Sequence, residues 1–327
     1  MNNRRLFFST IIVALAYALS ANPLRAEEEK ICDGTMKIIV QFAAGASTDI
    51  ATRAIANALQ TRLNQTIVVV NMPGAEGQIA AQRVHDAAPD FCTIANVPPA
   101  AVAIVPAEKK HKGEALRYDP RKLIALGKVA GTVFVLAVNP ELPIHSMEEL
   151  RKYAENHPFN MGVSYPLARV AAKLLQLSGI KLVPVSYGNG DTTSLPNLMM
   201  NEIQAAVLTL GAALPHINSG KIRPLFIIAD ARHPSIPDIQ TAGEVGITEL
   251  DAVPIWIGML GPAGLSPEKV KRFNEALCAT LTDPVIVKTL EGLAMKQSCS
   301  SPEELQDLME RQRKAWEDLA KKVAWFE

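Results

Sequence analysis

Lys37 to Val70 reads KIIVQFAAGASTDIATRAIANALQTRLNQTIVVV, and this stretch decides the fold class. Lys37 to Gln41 is a short apolar run with β-branched residues, Ser47 to Leu63 carries helical spacing, and Thr66 to Val70 is a second β-branched run. A helical pattern over Gly77 to Ala87 and a strand over Thr93 to Asn96 extend the alternation to βαβαβ. Such alternation lays parallel strands between helices, and open sheets of this class bind ligands beyond the carboxyl ends of their strands. The loop Gln41 to Thr48 sits at such an end.

A strand over Val133 to Asn139, followed by Pro140 and Pro143, opens a second alternating series. Helices are expected over Ser146 to Glu155, Leu167 to Leu177, Thr192 to Met200 and Ala212 to Ser219, with strands over Lys181 to Val185, Gln204 to Leu208 and Arg223 to Ile228. The strand around Trp256 to Leu260 and the helices Glu268 to Leu281 and Pro302 to Ala324 then need a partner. The economical arrangement returns them to the first block. The expectation is an α/β protein of two lobes, each a mostly parallel sheet flanked by helices, with a ligand cleft between them. Lobe 1 takes 27–137 and 256–327, and lobe 2 takes 138–255.

Arg4 and Arg5, the apolar run Ile11 to Leu19, Asn22-Pro23 and Ala26 describe a cleavable secretory signal peptide over residues 1–26. Its apolar core is far shorter than the roughly 20 residues of a bilayer-spanning helix. Cys32 lies too far from that core for a lipobox. The expected location is the periplasm. Lys plus Arg and Asp plus Glu balance at 33 each, which removes the broad positive field of a nucleic-acid binder.

Cys32, Cys92, Cys278 and Cys299 would then enter an oxidising compartment. Three pairings are open. Packing of a helix on the strand that follows it favours Cys278 with Cys299, and with it Cys32 with Cys92; buried free thiols are the alternative. No Cys-x-x-Cys is present, and His85, His111, His145, His157, His216 and His233 lack metal-ligand spacing, so no metal and no cofactor is expected.

In Phe42-Ala43-Ala44-Gly45-Ala46-Ser47-Thr48-Asp49, Gly45 permits close backbone approach and Ser47 or Thr48 can cap the helix that follows. The first amides of a helix lack internal partners and stand at the positive end of its dipole, which suits a carboxylate or phosphate. Helix capping alone also accounts for Ser47 or Thr48, and Asp49 opposes an anion close to it. No Gly-Lys-Ser or Gly-Lys-Thr marks a P-loop. No Gly-x-Ser-x-Gly elbow or Cys/His nucleophile context supports an enzyme.

This segment resembles the F-P-x-G-G-x-x-D loop of the Bug or TctC-like periplasmic receptors of tripartite tricarboxylate transporters. Asn71-Met72-Pro73-Gly74-Ala75-Glu76-Gly77 is similar to that family's N-R-P-G-A-G-G. Tyr118-Asp119-Pro120, Val138-Asn139-Pro140, Leu214-Pro215-His216-Ile217, Trp256, Pro262-Ala263-Gly264 and Asn274 follow in the family's order. The resemblance implies two lobes hinged to close on one ligand, a single chain acting as a monomer, and delivery of a small organic carboxylate to a membrane transporter of this type. Presentation of the ligand to a membrane sensor is the alternative. It also implies a pocket of Ala44, Gly45, Ser47, Thr48 and Asp49 from the first lobe. Pro98 and Pro99 follow the third strand, and Ser164, Tyr165, Tyr187, Gly188, Leu208 and Thr209 come from the second lobe. Two departures, Ala168 at the family's His position and Leu208-Thr209 where it has Asp, imply a less polar second-lobe wall. Arg169 is either a partner for a second carboxylate or part of a solvated helix face. Trp256 is either a reporter of closure or core.

Overall fold

The computed structural model describes residues 30–187, 190–251 and 255–323. The expected leader at 1–26 and the expected site residue Gly188 lie outside them. The first sheet opens with β1 (Met36–Val40), α1 (Ser47–Leu63), β2 (Ile67–Asn71), α2 (Gln78–His85) and β3 (Thr93–Val97). β1 pairs in parallel with β2 and with β3, Met36 facing Ile67 and Lys37 facing Thr93. A wide helical turn at Ala100–Ile104 runs into α3 (Val105–Lys112), and β4 (Ile124–Gly131) completes this block.

The chain then crosses to a second sheet through β5 (Phe134–Val138). This sheet continues with α4 (Met147–Asn156), β6 (Asn160–Val163), α5 (Pro166–Leu177), β7 (Val183–Ser186), α6 (Asp191–Met199), β8 (Ala205–Thr209), α7 (Leu210–Asn218) and β9 (Arg223–Ile228). Its strand order is β7-β6-β8-β5-β9. After α8 (Thr248–Asp251), β10 (Trp256–Gly261) returns to the first sheet, followed by α9 (Pro267–Leu281), α10 (Pro284–Gly292), β11 (Lys296–Gln297) and α11 (Pro302–Val323). The order there is β11-β4-β10-β3-β1-β2, so β10 fits between two strands laid down long before it.

β1 to β4 run one way, and β10 and β11 oppose them. In the second sheet β5 alone opposes its neighbours, pairing antiparallel with β8 and β9. The first crossover therefore lies at Gly131 to Phe134, ahead of the expected boundary at 137/138. The reason is that β5, FVLAV, is apolar and buried at every position, so nothing in its pattern marks which sheet it joins. The two crossovers touch: Thr132 N–H donates to the Ile255 carbonyl at 3.0 Å, beside the Gly131–Trp256 pair of the ladder.

Helices cover both faces of the first sheet. Ile38, Ile55, Leu59, Phe91 and Phe273 pack on one side, and Ala80, Val84, Trp256, Leu305 and Met309 on the other. Trp256 is fully buried and donates its indole N–H to Gln312 Oε1 at 2.7 Å, which makes it core rather than a reporter of closure. Asn274, one of the residues in the sequence resemblance, stitches α9 to the sheet through the carbonyls of Leu126 and Ser300 at 2.8 and 2.9 Å. Cys32 bonds Cys92 and Cys278 bonds Cys299, with Cα separations of 5.2 and 5.4 Å. Both expected pairings hold, and both bridges brace the first sheet. Among the described residues no helix is long and apolar enough to cross a membrane.

Candidate functional site

The expected site residues follow the carboxyl ends of β1, β3, β6, β7 and β8, the ends at which helices begin and backbone amides run out of partners. A cavity of about 30 Å³ lies where these ends meet, lined by Phe42, Ser47, Thr48 and Pro98 from one sheet, by Phe134, Tyr165 and Thr209 from the other, and by Thr132 and Ile255 of the crossovers. Ligand sites for drug-sized molecules span about 300–1,000 Å³. Occupancy of this cavity by a multi-carbon ligand thus requires its two walls to part.

α1 starts on Ala46, which is extended at φ −65° and ψ 153° and offers no side-chain cap. Ser47 and Thr48 are not caps, as the sequence had allowed, and both line the cavity. The start of α1 is held from behind by a chain of bonds. Asn96 on β3 donates to the Thr52 hydroxyl at 2.7 Å, and that hydroxyl donates to the Thr48 carbonyl at 2.6 Å.

Asp49 lies off the cavity lining and is taken up by the loop itself. Its Oδ2 accepts the Gly45 N–H at 2.9 Å and Arg53 Nε at 3.1 Å, and its Oδ1 accepts Asn71 Nδ2 at 2.8 Å. Burial pushes its carboxyl up, but the hydrogen bonds from Arg53, Gly45 and Asn71 outweigh this and hold it below the ordinary carboxylate range. Asn71 also donates to the Phe42 carbonyl at 2.9 Å, so one carboxylate fixes the whole loop. Gly45 has φ +83°, a left-handed backbone that glycine takes without strain. Gly45 and Ala44 are exposed outside the cavity, and the Gly45 amide is committed to Asp49.

On the other wall Tyr165 and Thr209 line the cavity, and the Tyr165 ring packs edge-on against Phe42 and Phe134 at 5.6 and 5.1 Å. The remaining expected residues lie off the cavity. Leu208, one residue before Thr209, turns to the opposite face of β8 into the core. Ser164 donates to the Ser194 hydroxyl at 2.8 Å. Tyr187 packs at the margin of a core cluster, and Pro99 begins the buried turn before α3. Arg169 is half-buried and committed to acidic partners. It pairs with Glu76 and Glu108, both carried by the first-sheet block, and clamps the two walls together.

The residue that sequence reasoning missed is Asp191. Its Oδ2 accepts the hydroxyls of Thr209 and Tyr165 at 2.6 and 2.8 Å, and its Oδ1 accepts the Thr209 N–H at 3.1 Å. An acidic residue in the first turn of a helix is ordinary dipole complementation, so the sequence gives no signal that sets this one apart. Burial raises its carboxyl to about 6, against the downward pull of the Thr209 and Tyr165 hydrogen bonds. The folded state therefore binds this proton more tightly than the unfolded one, and stability falls as pH rises from about 4 to about 6. Asp191→Asn removes that dependence. At pH 7.5 it is expected to raise the unfolding free energy by on the order of 2 kcal/mol and to leave it nearly unchanged at pH 4, read by denaturant unfolding at both pH values. An equal effect at both would show that the carboxylate is not carrying a buried charge.

The sequence profile of the tripartite tricarboxylate transporter family receptor, TctC, matches residues 51–324. A Cupriavidus necator protein described as "UPF0065 protein in gbd 5'region" is 28% identical over 302 residues, spanning 90% of this chain and 89% of its own. Among solved structures, a Rhodopseudomonas palustris protein with adipate superposes with a TM-score of 0.81 at 25% identity, over 89% of this chain and 98% of that one. MatC of Rhodopseudomonas palustris with bound malate gives 0.78 at 25% identity, over 88% and 98%.

Proposed function

The chain belongs to the tripartite tricarboxylate transporter receptor family, TctC, and from that premise we propose that it captures a small organic carboxylate between its lobes in the periplasm and delivers it to a transporter of that type. Lobe 1 comprises 30–131 and 256–323, lobe 2 comprises 134–251, and residues 1–26 are the cleaved leader. The chain acts as a monomer.

One observation carries the carboxylate reading: the uncapped start of α1, with the Ser47 and Thr48 hydroxyls, opens on the cavity. First-turn amides without internal partners, at the positive end of a 17-residue helix, bind an anion without any Lys or Arg. Tyr165 and Thr209 stand on the opposite wall. A ligand touching both walls favours the closed form, because it gains contacts there that the open form cannot give. Adipate and malate, on two relatives, each carry a carboxylate.

Thermal unfolding of the mature, ligand-stripped protein against mono- and dicarboxylates, neutral amides and amines tests this. Carboxylates are expected to raise the midpoint with concentration, by the equivalent of about 2.7 kcal/mol at a hundred times the dissociation constant. A rise with neutral or cationic solutes and none with carboxylates would overturn the reading.

A further inference from the structure

Two hydroxyls stand on the lobe 2 wall of the cavity, on Tyr165 and Thr209. Each has one proton to give. Both protons go to the same acceptor, Asp191 Oδ2, at 2.8 and 2.6 Å. The Tyr165 oxygen also accepts the Asp191 N–H at 3.3 Å. What these two hydroxyls leave to a ligand is lone pairs, backed by a carboxylate that is itself only 7% exposed. Among the described residues no Lys, Arg or His lines the cavity. The nearest candidate cation by sequence, Arg169, is held by Glu76 and Glu108.

We propose that Asp191, by taking the hydroxyl protons of Tyr165 and Thr209, sets the specificity of the cleft: the ligand end remote from its anchoring carboxylate must carry a hydrogen-bond donor, an amide, hydroxyl or ammonium group, and a second carboxylate is rejected. The inference rests on the receptor reading above and on the anchoring of one carboxylate at α1. A second carboxylate would meet acceptors instead of donors and would lie beside a like charge in a desolvated cleft. Both effects act against it, and mismatches of this kind are how a site excludes a near relative of its ligand. The wall is thus polar but one-sided, whereas the sequence departures alone implied only a loss of polarity.

Asparagine at this position inverts the wall. With Oδ1 kept on the Thr209 N–H, Nδ2 takes the place of Oδ2 and donates one proton to each hydroxyl oxygen. Both hydroxyl protons are then available to the cleft. The experiment is calorimetric titration of wild type and Asp191→Asn with pentanoate, 5-hydroxypentanoate, the monoamide of glutarate, glutarate and pentanamide, and with the corresponding sets one carbon shorter and longer.

Wild type is expected to bind the monoamide or the hydroxy acid on the order of a hundredfold more tightly than the diacid of the same length. In Asp191→Asn that ratio should fall at least tenfold. Wild type that binds the diacid as tightly as the monoamide, or a ratio that the substitution does not move, overturns the specificity inference and leaves the carboxylate reading standing. Pentanamide binding as well as pentanoate overturns the carboxylate reading instead, and silence across the whole set overturns both. Should Asp191→Asn fail to fold, Thr209→Val removes one of the two acceptors. It should weaken the monoamide about tenfold relative to pentanoate, and an unchanged ratio there also overturns the inference.

Discussion

Asp49→Ala is expected to cost about 4 kcal/mol of stability and to weaken ligand binding more than a hundredfold, with the second effect following from the first. The carboxylate is 2% exposed and accepts from Gly45, Arg53 and Asn71 at 2.8 to 3.1 Å. Hydrogen bonds to a charged partner contribute about 1.5–3 kcal/mol each. Arg53 is 46% exposed and regains water when its partner is lost, which keeps the total below the simple sum. Without the carboxylate the Gly45 amide and the Asn71 side chain lose the acceptor that ties loop, helix and β2 together, and the start of α1 no longer faces the cavity at a fixed angle. Denaturant unfolding and titration with the best carboxylate measure the two effects. Loss of stability with affinity intact would show that the loop's geometry does not matter to the site. Because the folded-state pKa of Asp49 lies below its unfolded value, its contribution is present at neutral pH and disappears as pH falls through that lower value.

How far the sequence foretold this arrangement depends on how local each signal is. The βαβ run was legible because β-branched strands and a helical repeat follow one another without interruption, and Ser47–Leu63 is the helix that pattern describes. β4 was not, since its eight residues include Lys and two Gly and its ladder with β10 carries register shifts. α3 was missed because its apolar approach at Ala100–Ile104 winds wider than an ordinary helix. Of the expected site residues, Ser47, Thr48, Pro98, Tyr165 and Thr209 line the cavity. Leu208 does not, because neighbours along a strand face opposite ways, and Ser164, just past β6, turns to Ser194. Asp191 could not have been found: its role is made by Tyr165 and Thr209, which are distant in sequence and meet it only in the fold.

Gly211→Ala is the second substitution with a large expected effect. Gly211 lies in the first turn of α7, on lobe 2, and a Cβ there would stand 2.2 Å from the carbonyl oxygen of Leu293, between α10 and β11 on lobe 1. That oxygen belongs to backbone and cannot swing aside. Within the helix alone, alanine is better than glycine by up to about 1 kcal/mol, so a loss must come from the contact across the lobes. The closed arrangement is expected to be lost, and affinity to fall at least about a hundredfold, as a ligand that bridges two walls gains only when they meet. Small-angle scattering with and without ligand, alongside titration, checks this. A variant that is more stable, compacts on ligand addition and binds normally would show that closure does not need this approach.

The insertion of β10 between β3 and β4 also governs how the chain can be made. Polypeptides emerge amino end first, and domains fold as units when their parts are available. Lobe 2 is a continuous stretch from β5 to β9 and can complete itself as soon as it is out. Lobe 1 cannot. Until Trp256 appears, β3 and β4 have bare edges that face each other across an empty slot, and unpaired edges are where chains stick to one another. The Cys32–Cys92 bridge lies wholly within the early segment, whereas Cys278–Cys299 joins residues that emerge near the end. Birth order is therefore the reverse of the order of completion: the lobe begun first is finished last.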